Sequence, residues 1–305
     1  ESHIYKSCCE KSGAEMSKVE DFRKSGKIAA QIREFAKSIC KEGMLYRELA
    51  DKVEVKTKEL NGKPAFPMDV SVNNIAAHDC PFPNDDRKIK KEDVVKLDMG
   101  VHVNGCVTDT ACTVEVGTNN HKKLIEASEK ALDEAIKLAK EVGTKLCDIG
   151  KVISEIIKSY GYTPITNLSG HGVGVYTVHD KPTVPNYNNN DQTKLVEGQR
   201  IAIEPFATTG LGKVNDGKLS CIYRLVNAKP VRLMSARKLI EYVAKEYNTL
   251  PFASRWLNFP NTAFLLRLLE REDILHQYAQ LPESSGGIVS QTEHTVEVGY
   301  GVLTK

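Results

Sequence analysis

The amino-acid sequence predicts an α/β or α+β fold with a largely antiparallel sheet. Helical stretches are interleaved with short β-type segments along the 305 residues, but these segments form hairpins and lack the regular strand-helix-strand order of a Rossmann fold. The clearest hairpin turns at Asn104-Gly105, the strongest short signal for a two-residue turn. Residues 216–280 differ in character, because their two longest segments have a helical pattern and predict an inserted helical subdomain.

The first elements are a tail and two helices. Residues 1–16 are polar without a strong period, and we predict a loosely ordered tail there. From Ser17 onward, apolar residues recur on one helical face as far as Ile39, and Gly43 follows as a stop signal. A second helix is predicted from about Tyr46 to Leu60.

The later elements mix strands and helices. Val70–Ile75 alternates briefly like a strand and leads to His78. The remaining predicted elements are the hairpin arms 94–103 and 106–111, helices from about His121 to Val142 and from Asp148 to Tyr160, an apolar strand 200–206, and a β-type segment 286–298. The last segment follows a glycine pair and is able to complete a sheet begun much earlier.

Composition excludes several functional classes. The 42 basic and 40 acidic residues give a formal charge of +2, so there is no net electrostatic drive toward nucleic acid or an anionic membrane. No apolar run reaches about 18 residues, and the first residues lack the apolar core of a secretory signal. Eight cysteines without a C-x-x-C pair fit reduced thiols. We expect a cytoplasmic protein without membrane or specific nucleic-acid partners.

The hairpin places two aspartates on one face of the sheet. If Asn104 and Gly105 form the turn, Gly100 pairs with Asp109, and Asp98 becomes a diagonal neighbour of Asp109 on the same side. The flanking residues are mostly apolar, so this is not an ordinary solvated strand face. Two carboxylates in that relation repel each other if they are left unpaired. The pattern therefore predicts a cation between them.

Three more residues have chemically unusual surroundings. Glu204 lies in an apolar strand, and Glu293 lies in the last β-type segment, so each needs a cation or strong hydrogen bonds. His171 stands between glycines, where the backbone can approach a ligand closely, and the spacing of these glycines does not match a dinucleotide site. His179 alone resembles an ordinary loop or strand histidine, and His294 is expected to face the other side of its strand as a packing residue.

Together these residues predict a dinuclear metal site. Two divalent ions would balance four carboxylates, and an oxygen-rich set with a single histidine suits Mn, Fe, Co or Zn. Such a pair activates a water and polarises a carbonyl, which makes hydrolysis the natural chemistry. The predicted ligands are Asp98, Asp109, His171, Glu204 and Glu293.

Seven short segments add a family resemblance. In chain order they are Ala65-Phe66-Pro67, Ile75-Ala76-Ala77-His78, Lys96-Leu97-Asp98-Met99-Gly100, Thr108-Asp109-Thr110-Ala111, Asn167-Leu168-Ser169-Gly170-His171, Ala202-Ile203-Glu204-Pro205-Phe206-Ala207-Thr208 and Gln291-Thr292-Glu293-His294-Thr295. From about residue 17 to 300 the sequence resembles the type 2 methionine aminopeptidases of the M24 metallopeptidase family, in their short archaeal form. The resemblance implies a pita-bread fold, with a curved, mainly antiparallel sheet formed by residues 17–215 and 281–305 and the helical subdomain inserted between them.

The resemblance also implies roles for the metal ligands. Asp98 resembles the ligand of one metal ion, and Asp109 and Glu293 resemble the two bridging carboxylates. His171 and Glu204 resemble ligands of the second ion, and Glu204 is also implied as the proton shuttle. All five residue types of the family are present.

Further implied residues contact the substrate. His78 resembles the histidine that hydrogen-bonds near the scissile amide, and His179 the one that meets the substrate carbonyl. Phe66 and Val178 are expected to help wall a pocket for the thioether. The implied reaction removes the N-terminal methionine from peptides and nascent chains, with transient ribosome contact and a monomeric enzyme.

Two segments depart from the family pattern, and two other functions remain open. Asp79-Cys80-Pro81 and Asp180-Lys181-Pro182 replace the family's usual residues, which questions the pocket shape and the catalytic efficiency. One alternative is a prolidase or aminopeptidase P-like peptidase; that group usually has an extra N-terminal domain, and the insert argues against it. The other is an inactive, ribosome- or RNA-associated scaffold, although such relatives have lost ligands that this sequence retains.

Overall fold

The computed structural model describes the backbone of residues 2–305 and the side chains of residues 16–305. The helices are α1 (Ser2–Ile39), α2 (Tyr46–Glu59), α3 (Lys122–Ala139), α4 (Leu146–Ser159), α5 (Met234–Glu246) and α6 (Thr262–Arg271). The first ten strands are β1 (Lys63–Pro64), β2 (Asp69–Val72), β3 (Ile75–Ala77), β4 (Val94–Val103), β5 (Cys106–Glu115), β6 (Thr163–Pro164), β7 (Ser169–Gly174), β8 (Thr177–Pro185), β9 (Arg200–Ile203) and β10 (Phe206–Thr208). The others are β11 (Leu219–Leu225), β12 (Phe252–Ala253), β13 (Leu275–Ala279), β14 (Leu281–Pro282), β15 (Val289–Gln291), β16 (Glu293–Glu297) and β17 (Gly301–Val302).

A nine-stranded antiparallel sheet forms the centre of the molecule. Its strands follow the order β1-β4-β5-β16-β9-β7-β8, with β2 beside β4 and β17 beside β16. The late strand β16 lies between β5 and β9, so the last β-type segment completes a sheet that begins much earlier, as predicted. Strands that are distant in sequence thereby become neighbours.

The central hairpin has the register that the turn predicts. Asn104 and Gly105 adopt φ angles of 50° and 86°, which fit a two-residue hairpin turn with both residues left-handed. Gly100 pairs with Asp109 and Val103 with Cys106. Asp98 and Asp109 are therefore diagonal neighbours on one face, and the prediction is confirmed.

Helices cover the opposite face of the sheet. Leu97, Met99 and Val101 alternate with Asp98 along β4 and pack with the apolar faces of α1 and α2 in one buried cluster. Helices α3 and α4 pack in a second cluster with residues of β9 and β16. Their amphipathic patterns place alanine, leucine and isoleucine against the sheet, and these helices and α2 lie close to the predicted positions.

Among residues 2–305, no helix is long and apolar enough to span a bilayer.

The inserted segment is an α+β unit, so the prediction of a helical subdomain is wrong in part. Helices α5 and α6 are present, but β11 pairs with both β12 and β13 to form a separate three-stranded sheet. Its own apolar cluster includes Tyr223, Phe252 and Leu275, all on strands. Short apolar runs do not distinguish a strand from a buried helix, which explains the error. The boundaries 216–280 stay a prediction.

Two further predictions require correction. Helix α1 begins at Ser2, so the backbone of residues 2–16 is helical rather than a loosely ordered tail; a segment that is polar all round shows no helical period in the sequence. Val70–Ile75 is not one strand, because β2 ends at Val72 and Asn73 turns the chain at a φ of 55° into β3. Asparagine tolerates this left-handed conformation better than most residues do.

Candidate metal centre and active site

The five predicted metal ligands line one cavity of about 200 Å³. Four of them lie on β4, β5, β16 and β7 of the central sheet, and Glu204 follows directly after β9, which lies between β16 and β7. The sheet therefore brings together carboxylates and an imidazole from residues 98 to 293. The cavity holds all five candidates: Asp98, Asp109, His171, Glu204 and Glu293.

The ligand atoms converge at distances suited to a shared cation. His171 Nε2 lies 3.8 Å from Asp109 Oδ2 and 3.6 Å from Glu204 Oε1. One ligand atom each from Asp109, His171 and Glu293 lies within 4.8 Å of the others. Ligand atoms at these mutual distances can bind one metal ion together.

Unpaired buried oxygens support the same interpretation. Asp98 Oδ1, Asp109 Oδ1 and Glu293 Oε1 are inaccessible and lack a hydrogen-bond partner among the described residues. Buried polar atoms in native proteins almost always have a partner, so three carboxylate oxygens without one beside a single cavity are suited to bind a cation. The donor set thus fits a divalent metal.

The histidine is held in the form that binds a metal. His171 Nδ1 lies 3.1 Å from the carbonyl oxygen of Gly172, so the Nδ1–H donates to the backbone and Nε2 faces the carboxylates. Burial lowers the pKa of His171 to about 4. The imidazole is therefore neutral at physiological pH, as metal ligation requires.

The carboxyl groups resist ionisation while they have no cation. Burial raises the pKa of Asp98 to about 6. Burial, followed by repulsion from the neighbouring carboxylates, raises the pKa of Asp109, Glu204 and Glu293 well above the usual range. A bound cation would favour the ionised forms, so metal binding should release protons from this cluster.

Gln291 is a contact that the sequence prediction missed. Its Nε2 donates a hydrogen bond to Asp98 Oδ2 at 2.8 Å and reaches Glu204 Oε2 at 3.5 Å. It therefore orients two candidate ligands that come from different strands. The sequence contains one signal for this contact. Gln291 precedes Glu293 by two residues, and side chains two apart in a strand point to the same face of the sheet.

His78 is held in an unusual backbone conformation beside the cavity. Its φ of 64° lies in the left-handed region, its backbone N–H donates to Asp69 Oδ2 at 2.9 Å, and its Nδ1 lies 3.2 Å from the carbonyl oxygen of Ala279. Asp69 pairs with Asp98 across β2 and β4, lines the cavity, and leaves Oδ1 without a partner. The sequence prediction missed Asp69, because its partner strand is not adjacent in the chain.

His179 opens onto the same cavity. Its ring centroid lies 4.4 Å from that of His171 with the rings edge to face. Removal from bulk water, and then the neighbouring His171, lowers the pKa of His179. A neutral imidazole at this position can donate one hydrogen bond into the cavity. His294 lies outside the cavity, as predicted, within hydrogen-bond distance of Arg33 and Thr304.

The rest of the wall is mainly apolar. Phe66 and Val178 line the cavity, and three residues that the sequence analysis did not name join them: Ile222, Tyr278 and Leu281. All three come from the inserted segment or the residues just after it. The insert therefore closes one side of the cavity, which the linear sequence does not reveal.

The residues that depart from the family pattern do not line this cavity. Asp79 instead accepts hydrogen bonds from Arg87 at 2.8 and 2.9 Å and from Gln280 Nε2 at 2.8 Å. Cys80 packs against Cys221 of β11 with their sulfur atoms 2.9 Å apart. These contacts join the loop after His78 to the inserted segment, so Asp79 and Cys80 support the cavity from outside and do not line it.

Comparisons with known proteins agree with the geometry. Residues 20–238 match the model of metallopeptidase family M24. The chain is 42% identical to the methionine aminopeptidase of Methanocaldococcus jannaschii over 297 residues, which cover 95% of this chain and 100% of the relative. The solved methionine aminopeptidase of Thermotoga maritima has a TM-score of 0.70 at 24% identity and covers 95% of this chain and 97% of its own. A thermophilic Arx1 structure has a TM-score of 0.81 at 15% identity, with 93% and 89% coverage.

Proposed function

The chain belongs to metallopeptidase family M24, and we propose on that premise that it removes the N-terminal methionine from peptides and nascent chains by hydrolysing the first peptide bond. Its fold is the predicted pita-bread arrangement of a mainly antiparallel sheet with helices. The observation that supports the proposal most strongly is the convergence of four carboxylates and one imidazole in a single cavity with apolar walls.

We further propose that the cavity holds two divalent ions, which can be Mn, Fe, Co or Zn. Asp98 would hold one ion, His171 and Glu204 the other, and Asp109 and Glu293 would be shared between them. When bound, such ions lower the pKa of a water molecule and polarise the carbonyl that it attacks. The orphaned oxygens of Asp98, Asp109 and Glu293 are consistent with this assignment.

Proton transfer is assigned to Glu204. Its carboxylate lies at the cavity wall, and burial raises its pKa, so it can accept a proton from the attacking water and release it to the departing amine. Proton transfer by a well-placed side chain contributes about 10²- to 10⁴-fold to a rate. Gln291 Nε2, 3.5 Å from Glu204 Oε2, would keep the carboxylate directed into the cavity.

The two cavity histidines are assigned to the scissile amide. His179 is neutral and faces the cavity, so its N–H can donate to the oxygen that becomes negative as the carbonyl is attacked. His78 would hydrogen-bond the same amide from the other side. The left-handed backbone of His78, held by Asp69, is the kind of strained conformation that clusters at active sites.

The apolar wall suits a thioether side chain. Phe66, Val178 and Ile222 contribute apolar side chains to the wall of the cavity. Its polar side chains are the candidate ligands, Asp69, the two histidines, Asn167, Ser169 and Tyr278. A methionine side chain can fill such a wall without leaving a polar group unpaired. Cytoplasmic location, a monomeric state and transient ribosome contact stay predictions.

The test uses metal-free protein reloaded separately with Mn, Fe, Co or Zn. Release of methionine from Met-Ala-Ser is followed by mass spectrometry, and bound metal is counted by elemental analysis. We expect release with at least one metal and a stoichiometry of two ions per chain. An Ala-Pro dipeptide serves as the prolidase control and should stay intact.

The outcomes separate the proposals from one another. Absence of methionine release with every metal would refute the aminopeptidase assignment, and preferential cleavage of Ala-Pro would favour a prolidase. Full activity with a single bound ion would refute the dinuclear assignment while leaving the substrate assignment intact. The Asp86→Asn variant, which changes an exposed acid outside the cavity, controls for effects of charge alone.

A further inference from the structure

A second cavity of about 210 Å³ adjoins the catalytic cavity. The two cavities share Val178, His179, Pro251 and Tyr278 in their walls. The second cavity is lined in addition by Tyr176, Thr177, Arg224 and Thr249, and no acidic residue of the described chain lines it. It is therefore a polar extension of the active site with a single permanent charge, which is positive.

That charge belongs to Arg224 on β11 of the inserted segment. Its side chain is exposed, and it forms no salt bridge with a carboxylate of the described residues, whereas Arg200 and Arg255 both do. Arg224 is close enough to the catalytic cavity that its charge contributes to the lowered pKa of His179, after burial and the neighbouring histidines. An unpaired guanidinium is a preformed site for a carboxylate.

The position of the second cavity decides which part of a substrate would reach it. The catalytic cavity accommodates the terminal residue, with His179 assigned to the carbonyl of the bond that is cut. The chain beyond that bond must leave the cavity past residues near His179, and the second cavity begins there. Residues that follow the scissile bond are therefore the ones that approach Arg224.

We propose, on the basis of the proposed aminopeptidase function, that Arg224 binds a substrate carboxylate that lies two or three residues after the N-terminal methionine. The enzyme then prefers peptides with aspartate or glutamate in the second or third position after the methionine. In a short peptide the free C-terminal carboxylate supplies the same chemistry. Lysine or arginine in those positions is disfavoured, because none of the described residues that line the second cavity is acidic.

The experiment compares amidated peptides of the form Met-Ala-Xaa-Gly, in which Xaa is Glu, Gln or Lys. For the wild type we expect kcat/KM to be about threefold higher for Glu than for Gln, the size of an exposed ion pair, and lower for Lys than for Gln. Arg224→Gln should make the three peptides equal, and Arg224→Glu should reverse the order in favour of Lys. High salt should weaken the wild-type preference.

A second pair of peptides identifies the source of the carboxylate. Met-Ala-Ser as the free acid is compared with its amide, and an advantage of the acid that Arg224→Gln removes assigns the contact to the C-terminus of short substrates. Arg271→Gln removes an exposed cation of the same inserted segment outside both cavities and should leave every ratio unchanged.

Equal kcat/KM values for all peptides in the wild type, with normal methionine release, would overturn the Arg224 proposal alone. Loss of the preference in Arg271→Gln as well would also overturn it. Failure to release methionine from any peptide would instead overturn the proposed function on which it rests.

Discussion

Without metal, the protein should lose stability as the pH rises. Burial raises the pKa of Asp98 from 3.8 to about 6, and the pKa values of Asp109, Glu204 and Glu293 are raised well above their usual range. A carboxyl group whose pKa is higher in the folded chain favours folding while it is protonated. The contribution of Asp98 is therefore complete below pH 3.8 and is lost as the pH rises through about 6. Asp109, Glu204 and Glu293 extend this loss of folding stability to higher pH.

The variant Asp98→Asn shows how much folding stability the ionisation of Asp98 removes. Asparagine removes the ionisable group but keeps an oxygen that can accept the hydrogen bond from Gln291 Nε2, 2.8 Å away. The rise in the pKa of Asp98 from 3.8 to about 6 corresponds to at most about 3 kcal/mol, at about 1.4 kcal/mol for each pKa unit. Above that pH, metal-free Asp98→Asn should therefore be more stable than the wild type by up to this amount.

Urea unfolding in the presence of a chelator is measured from about pH 4 to about pH 8 for the wild type and for Asp98→Asn. The difference between their free energies of unfolding at each pH is the quantity compared. The curves of wild type and Asp98→Asn should converge at the acidic end and separate as the pH rises. Added divalent metal should stabilise the wild type more than the variant, because a ligand has been removed. If the difference in unfolding free energy between the two proteins did not change with pH, or if Asp98→Asn were less stable at every pH, the raised pKa of Asp98 would be refuted as the cause. Asp86→Asn should follow the wild type.

Five other variants test individual roles. Asp109→Ala and Glu293→Ala should each reduce methionine release by about a thousandfold or more and lower the metal content, because each removes a ligand that we propose is shared between two ions; near-normal activity of either would contradict that role. His179→Ala should lower kcat by about 10²- to 10³-fold with a smaller change in KM, and the opposite split would argue for a binding role. Asp69→Asn keeps an acceptor for the backbone of His78 and should retain most activity, whereas Asp69→Ala should lower kcat about tenfold without loss of metal; equal activity of the two variants would contradict a positioning role.

Local chemistry explains which parts of the fold could be predicted. The Asn104-Gly105 turn determines the pairing of the hairpin, and the alternation of strand side chains then places Asp98 and Asp109 on one face. Helices α3 and α4 follow from a strong amphipathic period. Each of these features depends on residues within a few positions of one another, so the sequence alone contains the necessary information.

The prediction failed where the pattern was ambiguous or absent. The segment that contains the strands β11 and β13 was predicted as a helical subdomain, because a short apolar run is compatible with a strand or a helix until its partner strand is known. The first turns of α1 have a helical backbone but a polar composition without a period. Asp69 stands beside the candidate ligand Asp98 through the pairing of β2 with β4, which no local pattern specifies. Gln291 was missed although its spacing from Glu293 was a local signal, because its contact with Asp98 depends on tertiary packing.

The sequence by itself determined the candidate ligands and their chemistry. Acids retained in apolar strands need a cation wherever the chain folds, because burying an unpaired charge is costly. Only the tertiary structure decided that these acids share one cavity with His171, that the insert walls it with Tyr278, and that Arg224 lies at its extension without a carboxylate partner among residues 16–305. The reason is physical: side-chain chemistry is a local property, whereas a cavity forms where strands distant in sequence pair within one sheet.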